Sequence, residues 1–384
     1  MYASVFFAKL RQRAGNGMHS LSDRGVPLGE REEERGHTPH PDWDAVRIFL
    51  EVVRCGSFRS ASDHLCLSVN VLRRRIEQLE QELNTTLLTR HVDGVRVTAE
   101  GEAILAAAKR MELVSFELVR ARDRAIPTVS GEVKLAATEG LGTLWIAPRM
   151  VELHRKFPRL LVDLSCAMKS ADVLRLEADA AVQLIKPSAP DLKVVKLGRL
   201  HAMPFAAPSY AETYGIPRTK DEFLKHRLLL QIADQTQSAQ IFERLFPGVA
   251  QQGFVVMRTN TSSAHIGAIS RGVGIGWIPT YVHAIGEELV PVDIAEDFRL
   301  PFDIWLTYHQ DAGRIPRVRK TIEWIVDMFD PRKFPWFRDE FIHPNELTKP
   351  NRLRPLDLTR EPATESDIGT GASWNQIAAR SGAA

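Results

Sequence analysis

Val46, Phe49, Leu50 and Val53 recur at i, i+3, i+4 and i+7, the stripe of an amphipathic helix. Gly56 suits the left-handed residue that stops such a helix, and Ser57 suits the cap of the next. Phe58, Ala61 and Leu65 then line one face of a second, short helix. After a tight turn at Cys66 and Leu67, Ser68 is placed to cap a third helix, whose buried stripe is Leu72, Ile76, Leu79 and Leu83. Its other face reads Asn70, Arg73, Arg74, Glu77 and Gln81. Two short helices joined by a tight turn, the second presenting polar and basic groups, follow the helix-turn-helix plan. The segment "LLTRHVDGVRVTAEG" reads as a β-hairpin turning at Asp93-Gly94, a wing beside those helices.

Residues 99 to 126 form one long helix rich in Ala and Leu, ended by Pro127. Its apolar positions, among them Ile104, Ala107, Met111, Val114 and Leu118, recur at three and four, and so demand a partner face. From Gly131 strands and helices alternate. "GEVKLAAT", "LLVDLSCAM", "DAAVQLI", "HAMPFAAP", "FVVMRT" and "GVGIGWIP" read as strands; "LGTLWIAPRMVELHRKFP", "SADVLRLEA" and "SSAHIGAISRG" read as helices. Such alternation predicts parallel sheet covered by helices.

With 384 residues and 44% apolar content, the chain can build more than one core. Its formal net charge is only +2, so a polyanionic partner must be met by a local patch. Between Asp44 and Glu100 eight arginines face eight acids; the case for DNA therefore rests on placement. Arg73, Arg74 and Arg75 stand in the first half of the third helix, where cations oppose the macrodipole, and Glu77, Glu80 and Glu82 stand in the second half, where anions oppose it. A polyanion in front of the arginines would compensate that arrangement. Asn70, Arg73 and Arg74 are then placed to read bases in a major groove, with Ser57, Ser68, Arg75 and Arg90 better placed for phosphates.

Cys55, Cys66 and Cys166 are too few and too scattered for a disulfide framework and lack metal-ligand spacing, so reduced thiols and no metal are expected. No apolar run is long enough to span a membrane. The first 41 residues, rich in Gly, Arg, Glu, His and Pro, are expected to lack fixed structure and carry no export signal; Met18 is an alternative start. "GVGIG" at 272–276 lacks the strand-then-helix context of a dinucleotide loop.

At this point the resemblance is specific. "IFLEVVRCGSF", "SASDHL", "LSVNVLRRRIEQLEQELNTTLLTR" and "VRVTAEGE" together resemble the N-terminal domain of LysR-type transcriptional regulators. The departures are Val69, where the family usually has Gln, and Arg73, where it has Ser. "FPRLLVDL", "LEADAAVQL", "APSYAETYGIP" and "ISRGVGIGWIPTYV" resemble that family's effector-binding domain, shaped like a periplasmic binding protein. The resemblance implies an α/β fold overall: a winged helix-turn-helix at 42–98, a dimerising linker helix at 99–127, and a two-subdomain effector domain at 131–326. It implies double-stranded DNA, a small-molecule effector and a homodimer or homotetramer as partners, with no cofactor, no catalysis, no membrane and a cytoplasmic location. A solute-binding receptor and an enzyme on a borrowed binding-protein fold are the rival readings.

In that fold the chain crosses between subdomains twice, expected near 198–204 and 299–305. Ligands bind outside the carboxyl ends of the strands, often at helix N-termini. Thr138, Glu139, Gly140, Lys169, Ser170, Gln183, Asn260, Thr261 and Ser262 sit at those ends and are the candidate effector contacts. Amides at helix starts together with Lys169 would suit an acidic or polar molecule. Residues 327–384 lie beyond the resemblance. Phe334, Trp336, Phe337, Phe341 and Ile342 are costly to expose and are expected to dock on the effector domain, followed by a polar tail without fixed structure.

Overall fold

The computed structural model describes residues 41–91, 94–124, 129–189, 191–347 and 377, with the backbone alone at 120, 122–124 and 234. The chain divides into two compact units, Met1–Glu117 and Leu118–Ala384.

In the first unit α1 (Trp43–Cys55) starts at Asp42, whose carboxylate accepts the Asp44 amide, and stops at Gly56 with φ +67°. Ser57 caps α2 (Phe58–Leu65) by accepting the Ser60 amide, and Cys66 ends it in the left-handed region at φ 54°. Ser68 caps α3 (Val69–Glu82) by accepting the Val71 amide. Leu72, Ile76 and Leu79 are buried, as the 3.6-residue period demands. The wing is β1 (Leu88–His91) paired antiparallel with β2 (Gly94–Val97), and His91 pairs with Gly94. Gly94 thus lies in the strand instead of the expected Asp93-Gly94 turn; Asp93 lies outside the described residues. The reason is close approach: Gly94 has φ +136°, any Cβ there would collide with the Gly56 carbonyl, and the Val95 amide donates to that carbonyl at 2.8 Å.

The long helix α4 (Ala99–Arg124) follows without a break, its start capped by Thr98, which accepts the Gly101 amide at 2.9 Å. Leu105 and Ala108 are buried, but Met111, Val114 and Leu118 are 40%, 56% and 71% exposed, an apolar stripe without cover in the single chain. Pro127 and the end it was expected to impose lie outside the described residues.

The second unit is mixed α/β. Its main sheet has seven strands in the order β10-β6-β11-β5-β3-β4, with β9 also on β6. Here β3 is Gly131–Thr138, β4 Leu160–Ala167, β5 Ala180–Gln183, β6 Leu192–Ala206, β9 Gly276–Pro279, β10 Val290–Pro291 and β11 Leu300–His309. A separate parallel pair joins β7 (Leu228–Gln231) to β8 (Val255–Thr259). β3 is parallel to β4 and β5, but β6 and β11 run antiparallel to each other over their length, so the sheet is not purely parallel as expected. "HAMPFAAP" begins within the 15-residue β6 and runs two residues past its end, and the stretches where crossings are expected, 198–204 and 299–305, fall within β6 and across the start of β11.

Two helix expectations fail in different ways. "SADVLRLEA" is a turn, because the Asp172 carboxylate accepts the Leu174 and Arg175 amides and competes with helix. "LGTLWIAPRMVELHRKFP" is broken into α5 (Glu139–Leu141), a π turn over Gly142–Ile146, a 3-10 turn over Ala147–Arg149 and α6 (Met150–Lys156). Pro148 supplies no amide in the 3-10 turn, and an added Cβ at Gly142 would meet the Cys166 sulfur.

The helices of this unit continue as α7 (Pro208–Tyr214), α8 (Lys220–Phe223), α9 (Ser238–Leu245), α10 (Ser262–Ser270), α11 (Thr280–Ala284) and α12 (Pro316–Met328), and the aromatic segment after α12 packs into the main core, as expected. Trp145, fully buried, has the rings of Phe334, Phe337 and Trp336 at 4.9, 5.1 and 5.7 Å, all near edge-to-face. Its indole N–H donates to the Met328 carbonyl at 3.1 Å, and the buried Arg149 guanidinium lies over its ring at 3.2 Å. Burial pushes that guanidinium down to about 10. Ile377, in the stretch expected to lack fixed structure, is helical and fully buried in this core.

Candidate functional site

The exposed face of α3 is built from its caps outward. With Ser57 and Ser68 both serving as N-caps, their hydroxyls stand at the two helix starts. Asn70 and Arg74 are exposed, and Val69 and Arg73 are half-buried. The Arg73 and Arg90 guanidinium carbons each lie 5.7 Å from the Phe58 ring centre, so one aromatic side chain of α2 gathers the two cations from α3 and the wing. Phe58 in this role was missed in the sequence, where it reads only as core. Arg75 differs from its neighbours: it pairs with Asp42 at 3.1 Å, across to the start of α1. Glu80 is also absorbed locally, since its carboxylate accepts the Leu87 and Leu88 amides at 2.7 and 3.1 Å and ties the wing to the helix. Arg73, Arg74 and Arg90 have no carboxylate partner among the described residues, which leaves the cationic charge on the face that also carries Asn70.

Behind α2, Glu51, Cys55 and His64 are the one group among the described residues that gathers three potential metal ligands. Glu51 is already paired with Arg54 at 2.8 Å and His64 at 2.6 Å, while Arg54 also pairs with the buried Glu112 at 2.9 Å. That arrangement is an ion-pair network which holds α1 against α4. Burial pushes the Cys55 and Cys166 thiols up, away from the thiolate form.

In the second unit a cavity of about 100 Å³ opens among the ends of β3, β6 and β7, α9 (Ser238–Leu245) and α10 (Ser262–Ser270). Of the residues expected to contact an effector, Thr138, Gly140 and Ser262 line it. Lys169, Ser170 and Asn260 are exposed and stand outside its wall. Gln183 is buried and donates to the Ile185 carbonyl at 3.0 Å; Thr261 lies at the start of α10, its amide donating to the Thr259 hydroxyl. Neither lines the cavity.

Glu139 overturns the expectation of an anion-binding helix start. Its carboxylate accepts the Ser262 and Ser263 amides at 2.6 and 3.2 Å, so the N-terminus of α10 already holds the protein's own anion. Sequence reasoning also missed Gln235, which is buried. Its side chain accepts from Thr138 and the Leu184 amide and donates to the Met168 carbonyl, and so braces three residues that line the cavity. His265 is 1% exposed and donates through Nε2 to the Trp277 carbonyl at 3.2 Å; Nδ1 has no partner among the described residues. Burial lowers its pKa to about 4, so the ring facing the cavity is neutral.

The chain is similar to several known proteins. The full-length structure of the Vibrio cholerae virulence activator AphB aligns at 22% identity over 74% of this chain and 98% of its own, with a TM-score of 0.46. The transcriptional activator TtdR of Escherichia coli (strain K12) is 27% identical over 288 residues, 73% of this chain and 91% of that protein. A helix-turn-helix transcriptional regulator of Xanthomonas campestris pv. campestris (strain 8004) is 30% identical over 240 residues, 61% of this chain and 69% of that protein. Residues 43–102 match the bacterial regulatory helix-turn-helix protein family of LysR type, and residues 128–330, more than half of the chain, match the LysR substrate binding domain. The chain therefore belongs to the LysR family of helix-turn-helix transcriptional regulators.

Proposed function

We propose that residues 42–98 read double-stranded DNA through the exposed face of α3, that 99–127 pair two copies, and that 131–326 sense a small-molecule effector. The observation that carries this reading is the placement of Asn70, Arg73 and Arg74 on one face of a capped helix, with the charge of Arg73 and Arg74 unmatched by protein carboxylates among the described residues. Asn suits adenine and Arg suits guanine. Ser57, Ser68 and Arg90 are placed for phosphates; Arg75, engaged by Asp42, has the weaker claim. The exposed Met111, Val114 and Leu118 of α4 are the natural contact between copies in a homodimer or homotetramer. Among the described residues no helix is long and apolar enough to cross a membrane. A cytoplasmic regulator without catalysis of its own is the reading that fits. Effector binding at the cavity changes how the C-terminal units pack and so the spacing of paired DNA-reading heads.

Fluorescence anisotropy of the full chain on its own upstream DNA, beside a shuffled duplex and across a salt series, tests the reading. Preference for the native duplex with a steep salt slope is expected; equal binding to both duplexes would sink it. Arg73→Ala should lose about 1–3 kcal/mol of discrimination at one base position. Arg90→Ala should weaken binding to every duplex alike and reduce the salt slope by about 1. Identical behaviour of the two variants would refute the division between base and phosphate contacts.

A further inference from the structure

We infer that the cavity of the second unit takes an uncharged, largely apolar molecule of about one ring's size, and that Glu139 makes it reject carboxylates. This rests on the effector reading above and names the chemistry of the ligand.

Four observations converge on it. The cavity wall is mostly hydrocarbon and aromatic, with Leu200, Leu229, Phe242, Trp277 and Phe302 among its residues, and among the described residues no Lys, Arg, Asp or Glu lines it. Its volume of about 100 Å³ is of the order of the roughly 150 Å³ apolar cavity known to admit benzene. The start of α10, the helix start to which the expected contacts Thr261 and Ser262 belong, is filled by Glu139, and Gly140 presses so close that an added Cβ would stand 2.8 Å from the Ser262 hydroxyl. Lys169, the nearest cation expected from the strand ends, is exposed and outside the wall.

The polar groups that remain are few and neutral. The Thr138 hydroxyl donates to Gln235, the Ser262 hydroxyl accepts from Gln231 at 2.9 Å, and His265 carries an unmatched Nδ1 acceptor. A carboxylate entering this space would lose its hydration, find no cation, and face the Glu139 carboxylate behind Ser262. A neutral ring loses only apolar hydration, which favours entry.

Phenol and benzoate, which share a ring and differ in charge, are the probes. Each is titrated calorimetrically into the full chain at neutral pH, up to about 10 mM. Phenol should bind at least tenfold more tightly than benzoate. Leu230→Trp, which fills the cavity from β7, should abolish phenol binding; Glu139→Ala should improve benzoate binding at least tenfold and leave phenol within threefold. Benzoate binding as tightly as phenol, no binding of either, phenol binding that survives Leu230→Trp, or no gain of benzoate in Glu139→Ala would each overturn the inference. Thermal unfolding and DNA anisotropy on the same preparations confirm that the variants are folded. They also keep the two readings apart: native-duplex preference without phenol binding removes the ligand class alone, whereas loss of that preference in the unaltered chain removes the regulator reading itself.

Discussion

Trp145→Ala should destabilise the second unit by about 3–5 kcal/mol, the range for emptying a buried large aromatic site. Trp145 is fully exchanged into protein contacts: it meets Tyr281, Phe329, Phe334, Trp336 and Phe337 within 6.4 Å and donates to the Met328 carbonyl. Its loss also strips the buried Arg149 guanidinium of the ring it lies on, while the Nη1 bond to the residue 145 carbonyl persists. The cost therefore has two parts, a cavity and a less well-covered cation. Denaturant unfolding followed by near-ultraviolet circular dichroism reads the second unit separately from the first, which a single two-state fit would blur. A change below about 1 kcal/mol would mean that the aromatic segment relaxes into the space and is not held by Trp145.

A second variant asks the same question from the other side. An added Cβ at Gly198 would stand 2.5 Å from the Phe337 carbonyl oxygen, so Gly198→Ala must push the segment off the sheet. It should cost about 1–3 kcal/mol, typical of overpacking. Neither variant touches the first unit, and the affinity of the α3 face for DNA is expected to stay within twofold.

The difference between what was legible in the sequence and what was not follows the distance over which each signal acts. Ser57 and Ser68 cap helices three residues ahead, and Gly56 stops a helix beside it, so these elements stand where the pattern puts them. Leu72, Ile76 and Leu79 obey a period that needs no knowledge of the partner surface. Glu139 was read as a ligand contact because it ends a strand; its real partners are amides 123 and 124 residues away. Gln235 carries no local signal, and only the fold brings it to Thr138, 97 residues back. Glu80 sat on the wrong end of a helix dipole for the same reason: its two amides belong to the wing. At Asp172 two local signals conflict: the apolar run favours helix, and the carboxylate that bonds to the amides after it prevails. The expected polarity of the effector site follows from the resemblance and the helix starts, whereas the cavity wall is made by side chains from elements spread between Thr138 and Phe302 that no local pattern aligns.

Acidification from pH 7 towards pH 4 should cost the second unit about 3 kcal/mol through His265 alone. Its ring lies against the Trp277 carbonyl, and Gly276 leaves it room, since a Cβ there would stand 2.8 Å from Nε2. Burial holds the folded pKa near 4, against about 6.5 for an exposed imidazole. Below pH 6.5 the unfolded chain binds a proton that the folded chain refuses, so stability falls by up to about 1.4 kcal/mol per pH unit until the folded ring also titrates, and this group adds nothing further below pH 4. His201 and His226, also lowered by burial, act in the same direction, so the test is a difference. His265→Gln keeps a neutral polar side chain at the site. Its unfolding free energy at pH 7 and at pH 4.5 should differ by about 2 kcal/mol less than that of the unaltered protein. Parallel pH profiles for the two proteins would mean that water or the cavity mouth solvates the imidazolium. In that case the wall next to Trp277 is wetter than the 1% exposure of His265 implies, and a charged ligand regains a foothold there.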